Sequence, residues 1–223
     1  MTRTAKTLAP LPAAYFVRPT LEVARGLLGK LLVHDEPEAG RLIGRIVETE
    51  GYTADDPAMH GWKAQFGPDG RVMPVGRAAA LFGPPGTAYV YLIYYTSWLL
   101  NVVTEPEGTA GAVLIRAVEP VEGEAAMAER RPAIRRAADL TNGPGKLAQA
   151  FGVDGRHHGS DLTKPPLFFA DDGAPPPGVA TSSRIGLTRG IDRPNRFYVP
   201  RHPYVSPGPP SDLRVARRTK RSR

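Results

Sequence analysis

The stretch RLIGRIVETEGY, residues 41–52, has the alternation of apolar and polar side chains that is typical of a β-strand. Side chains two residues apart in a strand point to the same face, so Ile46, Glu48, Glu50 and Tyr52 are expected to share one face. A carboxylate on a partly apolar face is unusual, because a buried charge is unfavourable unless it is paired. The stretch therefore raises the question of what these acids contact.

The sequence around this stretch predicts an antiparallel β-sheet. KLLVHD, residues 30–35, forms the partner strand across the turn-rich EPEAG. Residues 86–120 are expected to contain three consecutive strands, with turns near 95–97 and at 105–111. Two further short strands are predicted within 183–190 and 195–200.

Helices are predicted after Thr20, which can cap the segment LEVARGLL, and over 121–140 with a break at Pro132. Another is predicted over 145–151. No internal repeat or long linker divides the chain. The predicted fold is a single α+β domain, with a curved antiparallel β-sheet, a protruding β-hairpin and surrounding helices. Its predicted limits are 15–210, between an N-terminal extension of residues 1–14 and a basic tail of residues 211–223.

Composition excludes several classes of protein. None of the 223 residues is Cys, so disulfides, thiolate zinc sites and cysteine nucleophiles are absent. The N-terminus lacks the apolar region of a signal peptide, and the most hydrophobic run, residues 89–103, is interrupted by polar residues and too short to span a bilayer. A cytoplasmic protein without membrane contact is expected.

The net charge of +7 lies mostly in the tail. The last ten residues carry six positive charges and no negative charge, which leaves about +1 for the rest of the chain. Such a tail either attracts polyanions such as DNA or serves only as a solubilising end. The sequence supports both interpretations equally.

Tyrosine is concentrated in one predicted hairpin, because Tyr89, Tyr91, Tyr94 and Tyr95 are four of the eight tyrosines in the chain. These side chains can simply be core or rim residues of the sheet. Alternatively, an aromatic ring at the end of a stiff hairpin can enter a base stack and replace an extruded nucleotide.

Glu50 and Arg116 are candidates for chemistry. Arg116 interrupts the apolar run VLIRAV, where an unpaired charge would be costly, so it is expected to have a carboxylate partner. Glu50 is either an ordinary salt-bridged residue or a carboxylate that an arginine keeps ionised and able to take a proton from water.

The remaining motifs give weaker evidence for a functional site. NGPGK, residues 142–146, lacks the spacing of a P-loop, although Lys146 can meet a phosphate. Among the histidines only His60 lies in an interesting place, and no spacing suggests a metal site. No metal or other cofactor is expected.

Several motifs occur together in a specific order: ARGLLGKLLV (24–33), GRIVETEGY (44–52), FGPPGTAYVYLIYY (82–95), AVLIRAVEP (112–120) and NGPGKLAQAFG (142–152). DPAMH, LLNVV, RIGL and RFYV lie between or after them. This set resembles the alkyladenine (3-methyladenine) DNA glycosylases of the non-helix-hairpin-helix type, over about residues 15–206. Each motif is weak alone, but the ordered set is highly specific.

The resemblance implies that the protein binds double-stranded DNA as a monomer and flips alkylated purines into a pocket. The substrates implied are 3-methyladenine and 7-methylguanine, with hypoxanthine as a further candidate. A water molecule activated by Glu50 would then hydrolyse the N-glycosidic bond and leave an abasic site. By match to the motifs, Arg116 and the backbone carbonyl of Ile185 would help to hold the water.

The same resemblance implies the substrate-binding and DNA-binding residues. Tyr52, His60, Tyr91 and Leu114 would line the base pocket, and Asn101 would exclude unsuitable purines. Contacts to DNA would come from two further residues: Tyr94 as the intercalating wedge, and Lys146.

Cationic lesions are expected to be preferred, because tyrosine faces attract flat cations and no general acid for neutral bases is evident in the sequence. The sequence departs from the family between His60 and Gly86, where Arg77 stands in place of an asparagine and Leu81 in place of a methionine. Two alternative functions are a non-catalytic sensor of damaged DNA with the same fold and, less favoured, a hydrolase of free nucleosides.

Overall fold

The computed structural model describes residues 8–61 and 76–213. Its central element is the 14-residue strand β2, Gly40–Thr53. Strand β5, Gly111–Glu122, pairs with β2 along one edge, while β1, Leu31–Glu36, and β8, Arg196–Tyr198, share the other edge. The predicted strand pair over 30–35 and 41–52 is therefore confirmed.

The remaining strands extend this sheet on both sides. Strands β3, Ala88–Ile93, and β4, Ser97–Val103, form an antiparallel hairpin that joins the sheet through β5. Strand β6, Leu167–Ala170, pairs with β1, and β7, Ala180–Ser182, pairs with β8. All of these pairings are antiparallel, and the sheet curls, which confirms the predicted α+β fold.

Two details of the predicted sheet are wrong. The segment 183–190 is not a strand, and Ile185 makes only an isolated bridge to Pro210. Gly186 and Gly190 adopt positive φ angles of 80° and 54°, which interrupt the extended backbone. Strands β6 and β7 were not predicted.

The helices are short: α1, Thr20–Gly26; α2, Glu124–Glu129; and α3, Pro144–Ala150. Thr20 is the first residue of α1 rather than its cap, and its hydroxyl donates to Glu105. The helix predicted over 121–140 is limited to α2 and a 3-10 turn at Ala137–Leu140, because Pro132 cannot donate a helical hydrogen bond.

The main hydrophobic core lies between one face of the sheet and helices α1 and α3. Val113 and Ile115 of β5 point into this core, together with Val23 and Leu147 of the two helices. Because side chains alternate along a strand, the neighbouring residues of β5 point to the opposite face. That opposite face carries the candidate site.

A β-bulge in β2 changes which residues share a face. The pairing with β5 shifts register between Ile46 and Thr49. Ile46 packs in the main core, and the Thr49 hydroxyl donates to the carbonyl of Ala24 in α1, on the same side. The expectation that Ile46 shares a face with Glu48, Glu50 and Tyr52 is therefore wrong, because the pairing is irregular between Ile46 and Thr49 and the alternation of side chains breaks there.

Both ends of the described chain are anchored. In the predicted N-terminal extension, the Leu11 amide donates to the Phe169 carbonyl at 2.7 Å. At the other end, the Ser211 amide donates to the Arg184 carbonyl at 2.8 Å, and the basic residues beyond Leu213 lie outside the described residues. Within 8–61 and 76–213, no helix has the length and apolar character needed to cross a membrane.

Candidate active site

The strand registers place predicted site residues in one row across the sheet, hereafter the site row. Glu50 of β2 lies opposite Leu114 of β5, Leu114 lies opposite Asn101 of β4, and Asn101 lies opposite Tyr89 of β3. Directly opposite residues of antiparallel strands have Cβ atoms about 5 Å apart. The row therefore joins the predicted catalytic acid to the tyrosine-rich hairpin across four strands.

Glu50 is held by groups from three parts of the chain. Its side chain has 0% exposure. One carboxylate oxygen, Oε1, accepts from the Ile185 amide at 2.8 Å. The other, Oε2, accepts from the Tyr52 hydroxyl at 2.9 Å and lies 3.3 Å from Nη1 of Arg116.

The predicted partner of Glu50 is shared with a second acid. Arg116 Nε donates to Glu48 Oε1 at 2.8 Å, which is shorter than its contact with Glu50. Burial acts to lower the pKa of Arg116, but the carboxylates of Glu50 and Glu48 raise it above its ordinary value. Arg116 therefore remains a cation between two buried carboxylates.

Glu48 is as buried as Glu50 but has more partners. Burial acts to raise its pKa, yet the guanidinium groups of Arg116 and Arg196 and the hydrogen bonds from Ser206 hold that pKa below its ordinary value. Glu48 accepts from Arg196 Nε at 2.7 Å and from both the amide and the hydroxyl of Ser206. The acid is thus stabilised as an anion.

An aromatic cluster lies beside this acidic centre. The His60 ring lies edge-on to the Tyr91 ring, with 4.7 Å between centroids, and His60 Nδ1 is 2.8 Å from the Tyr89 hydroxyl. Asn101 Nδ2 donates to the backbone carbonyl of Tyr89 at 3.0 Å. These contacts bring together three residues predicted to meet the base, His60, Tyr91 and Asn101.

Tyr52 connects the acid and the aromatic residues. Burial, with the Glu50 carboxylate second, raises the pKa of its hydroxyl well above the ordinary value, so the hydroxyl acts as a hydrogen-bond donor. The guanidinium carbon of Arg184 lies 4.5 Å from the ring centroid. Since this cation occupies one face of the ring, a stacked base would have to use the other.

Arg184 is fixed by a fully buried ion pair with Asp56. Both of its terminal nitrogens donate to that carboxylate, and they also donate to the carbonyls of Gly51 and Gly190. The next residue, Ile185, supplies the amide that binds Glu50. The consecutive residues Arg184 and Ile185 therefore contact the Tyr52 ring and the Glu50 carboxylate, respectively.

The hairpin tip exposes two tyrosines on a strained turn. Tyr94 and Tyr95 have φ angles of 51° and 58° and exposures of 80% and 96%. A positive φ is unfavourable for a residue with a Cβ, by about 1–2 kcal/mol per residue. A turn of this kind normally contains Asn-Gly, so bulky aromatic residues here indicate a use other than stability.

Lys146 follows Gly145, which lies close to Ser97 of the same hairpin, but its side chain has partners within the protein. Its ammonium group donates to Asn142 Oδ1 at 2.6 Å and to Asp139 Oδ1 at 3.3 Å. Its predicted contact with DNA stays a prediction. Among the described residues, no group of three or more His, Asp or Glu side chains could hold a metal ion.

Comparison with known proteins identifies the family of this chain. A sequence model described as methylpurine-DNA glycosylase matches residues 14–203. The chain belongs to the methylpurine-DNA glycosylase family. As a member of this family it is a DNA glycosylase, a hydrolase of N-glycosyl bonds that acts in DNA repair.

Relatives cover nearly the whole chain. A protein of Salinibacter ruber named "Putative 3-methyladenine DNA glycosylase" is 59% identical over 206 residues, covering 92% of this chain and 100% of that protein. Proteins of the same name from Chlorobium luteolum and Methanocella arvoryzae are 45% and 43% identical. The matched regions span 96% and 98% of those two proteins, and 88% and 91% of this chain.

The structure brings most of the predicted site residues of this methylpurine-DNA glycosylase family member together. Arg116 and Ile185 both contact Glu50, and Ile185 does so through its backbone amide. The predicted role of the Ile185 carbonyl toward water stays a prediction. Leu81 packs in the cluster that contains Tyr89, and the Arg77 side chain lies outside the described residues.

Sequence reasoning did not find the supporting residues: Glu48 as a site member, Asp56, Arg184, Arg196 and Ser206. For Arg196 a signal existed, since it precedes the apolar strand residues Phe197 and Tyr198 much as Arg116 interrupts an apolar run. Asp56 lies in a loop and Arg184 in a segment predicted as a strand. Only their meeting in the tertiary structure identifies them.

The buried ion pair beneath Tyr52 predicts a large loss of stability on Asp56→Asn. This change leaves the Arg184 charge buried without its carboxylate, and breaking a buried pair in this way costs about 3–5 kcal/mol. The free energy of unfolding from urea denaturation is the measurement. Asp55→Asn is the matched control, because Asp55 is 74% exposed and its pair with Arg193 is worth at most about 1 kcal/mol. Equal losses for the two variants would contradict the prediction.

Proposed function

We propose that this protein removes alkylated purines, including 3-methyladenine and 7-methylguanine, from double-stranded DNA. The damaged nucleotide leaves the base stack and its base enters the space bounded by Tyr52, His60 and Tyr91. Glu50 then activates a water molecule for attack on the sugar. The observation that carries the proposal is the burial of Glu50 at one end of a site row whose other end is aromatic.

In the proposed reaction the water oxygen forms a bond to the anomeric carbon while the carbon–nitrogen bond to the base breaks. Glu50 accepts a proton from the water, and the electron pair of the broken bond stays with the base. An N3- or N7-alkylated purine carries a positive charge, so it departs as a neutral molecule without a proton from the protein. The negative carboxylate also stabilises positive charge that develops on the sugar.

The contacts of Glu50 hold its carboxylate in one position beside the aromatic residues. Oε2 accepts from Tyr52 and lies near Arg116, while Oε1 accepts from the Ile185 amide. A base stacked on Tyr52 and a water bound at Glu50 would both lie beside the same carboxylate. Arg116 supplies a fixed positive charge 3.3 Å from this carboxylate.

Replacing Glu50 tests the chemical role directly. We expect Glu50→Gln to bind lesion-containing duplex DNA as the wild type does and to release bases more slowly by about 100- to 10,000-fold, because the amide cannot accept the proton. Chromatography of bases released from methylated duplex DNA in single turnover is the measurement. If the wild-type protein releases no base, the alternative of a non-catalytic sensor of damaged DNA is correct.

Cationic lesions are expected to react faster than neutral ones. Tyr52, His60 and Tyr91 offer aromatic surfaces, and an aromatic face attracts a flat cation by about 0.5–2 kcal/mol. Hypoxanthine is neutral and needs a proton to leave, whereas 7-methylguanine and 3-methyladenine do not. Comparable single-turnover rates on hypoxanthine and 3-methyladenine would contradict this preference.

We propose that Tyr94 is the wedge that replaces the extruded nucleotide. Tyr94→Gly removes the ring and is expected to weaken binding to lesion DNA by about 5- to 150-fold, the equivalent of one lost stacking contact. Because glycine tolerates positive φ, the same change should leave the stability of the protein unchanged or higher.

Tyr95→Gly is the matched control for this test. It relieves the same kind of backbone strain at the neighbouring position but leaves the proposed wedge in place. Fluorescence anisotropy with lesion-containing duplex DNA gives the affinities, and thermal denaturation gives the stabilities. A larger loss of affinity for Tyr95→Gly than for Tyr94→Gly would assign the wedge to Tyr95 instead.

Two expectations about the protein as a whole stay predictions. The protein is expected to act as a monomer. Light scattering in solution checks this expectation. The expectation of a cytoplasmic location is checked by cell fractionation.

A further inference from the structure

Glu48 is a buried acid that the proposed reaction does not use. It lies two residues before Glu50 on β2, with 0% exposure, and both of its oxygens are occupied. Oε1 accepts from Arg116 Nε and Arg196 Nε, and Oε2 accepts from the amide and hydroxyl of Ser206. Such a fully satisfied carboxylate cannot readily bind water or a substrate, so its effect must come through its partners.

The partner that connects Glu48 to the reaction is Arg116. Its Nε donates to Glu48 at 2.8 Å and its Nη2 donates to Ser206 Oγ at 3.3 Å, which leaves Nη1 at 3.3 Å from Glu50 Oε2. A guanidinium is planar and rigid, so holding two of its nitrogens restricts where the third can lie. Glu48 and Ser206 thereby set how closely Arg116 approaches Glu50.

Removing the charge of Glu48 would change that approach. Arg116 would lose the carboxylate with which it makes its shorter contact, and Glu50 would be the carboxylate still beside it. Arginine and carboxylate groups favour a two-point contact with two parallel hydrogen bonds. A Glu50 engaged in this way has fewer lone pairs free to bind water.

We propose that Glu48 is a positioning residue that restrains Arg116 to a single contact with Glu50 and so keeps Glu50 free to bind and activate water. The inference rests on the proposed function of Glu50. Glu36 provides a comparison outside the site, because it is a largely buried glutamate that pairs with Arg130 and lies opposite Gly40, at the other end of β2 from Glu50.

The test uses the full-length chain and methylated duplex DNA. For Glu48→Gln we expect lesion binding within about 2-fold of wild type and base release in single turnover at least about 10-fold slower, as for other closely coupled pairs. Glu36→Gln is the matched control, because it breaks another largely buried glutamate–arginine pair at the other end of β2, and it should slow base release by less than about 2-fold. A rate for Glu48→Gln within 2-fold of wild type, or an equal loss for Glu36→Gln, overturns the proposal.

Further variants keep the proposal testable if the Glu48→Gln protein does not fold. Ser206→Ala removes only the hydroxyl that binds Arg116 Nη2 and Glu48, so it should slow base release several-fold without weakening lesion binding. In a Glu50→Gln background, Ser206→Ala or Glu48→Gln should cause no further loss of rate. A further loss there would indicate a general structural defect and would overturn the proposal.

These outcomes are distinguishable from failure of the proposed function. If the wild type releases no base, or Glu50→Gln releases base as fast as the wild type, Glu50 is not the base and the proposed function fails. If the wild type releases base and Glu50→Gln releases it much more slowly, but the Glu48 and Ser206 variants behave as wild type, only the positioning role fails.

Discussion

Two carboxylates buried in the middle of one strand are the constraint on which the rest of this structure depends. Glu48 and Glu50 have no exposed surface, and an ion of this kind persists in a protein interior only when charges and hydrogen-bond donors surround it. Those groups arrive from β5, from β8 and from the segments at 185 and 206. Elements far apart in sequence must therefore meet at β2 before either acid is tolerated.

The sheet brings these groups together to form the site. Its long strand β2 is shared by β5 on one edge and by β1 and β8 on the other, and its bulge places Ile46 in the core while Glu50 and Tyr52 face the opposite side. The registers of four strands then carry the row from Glu50 to Tyr89. Beyond that row, the strained and exposed hairpin tip places aromatic rings where DNA can reach them.

Much of the fold could be predicted because its signals are local. Alternation of apolar residues predicted the pair β1–β2 and the three strands from β3 to β5, and Pro132 predicted the break after α2. The bulge in β2 and strands β6 and β7 could not be predicted in the same way. A bulge has no fixed sequence pattern, and a strand of three or four residues is too short to show a period.

The sequence by itself determined that a charged pair exists in the site, because Arg116 in an apolar strand needs a carboxylate and an ordered set of motifs identified the family. Only the tertiary structure decided that Arg116 serves two acids, that Arg184 and Asp56 support Tyr52, and that the Ile185 amide reaches Glu50. The physical reason is that each of these contacts joins residues more than 60 positions apart. Their distances depend on strand register and loop path, which no single stretch of sequence specifies.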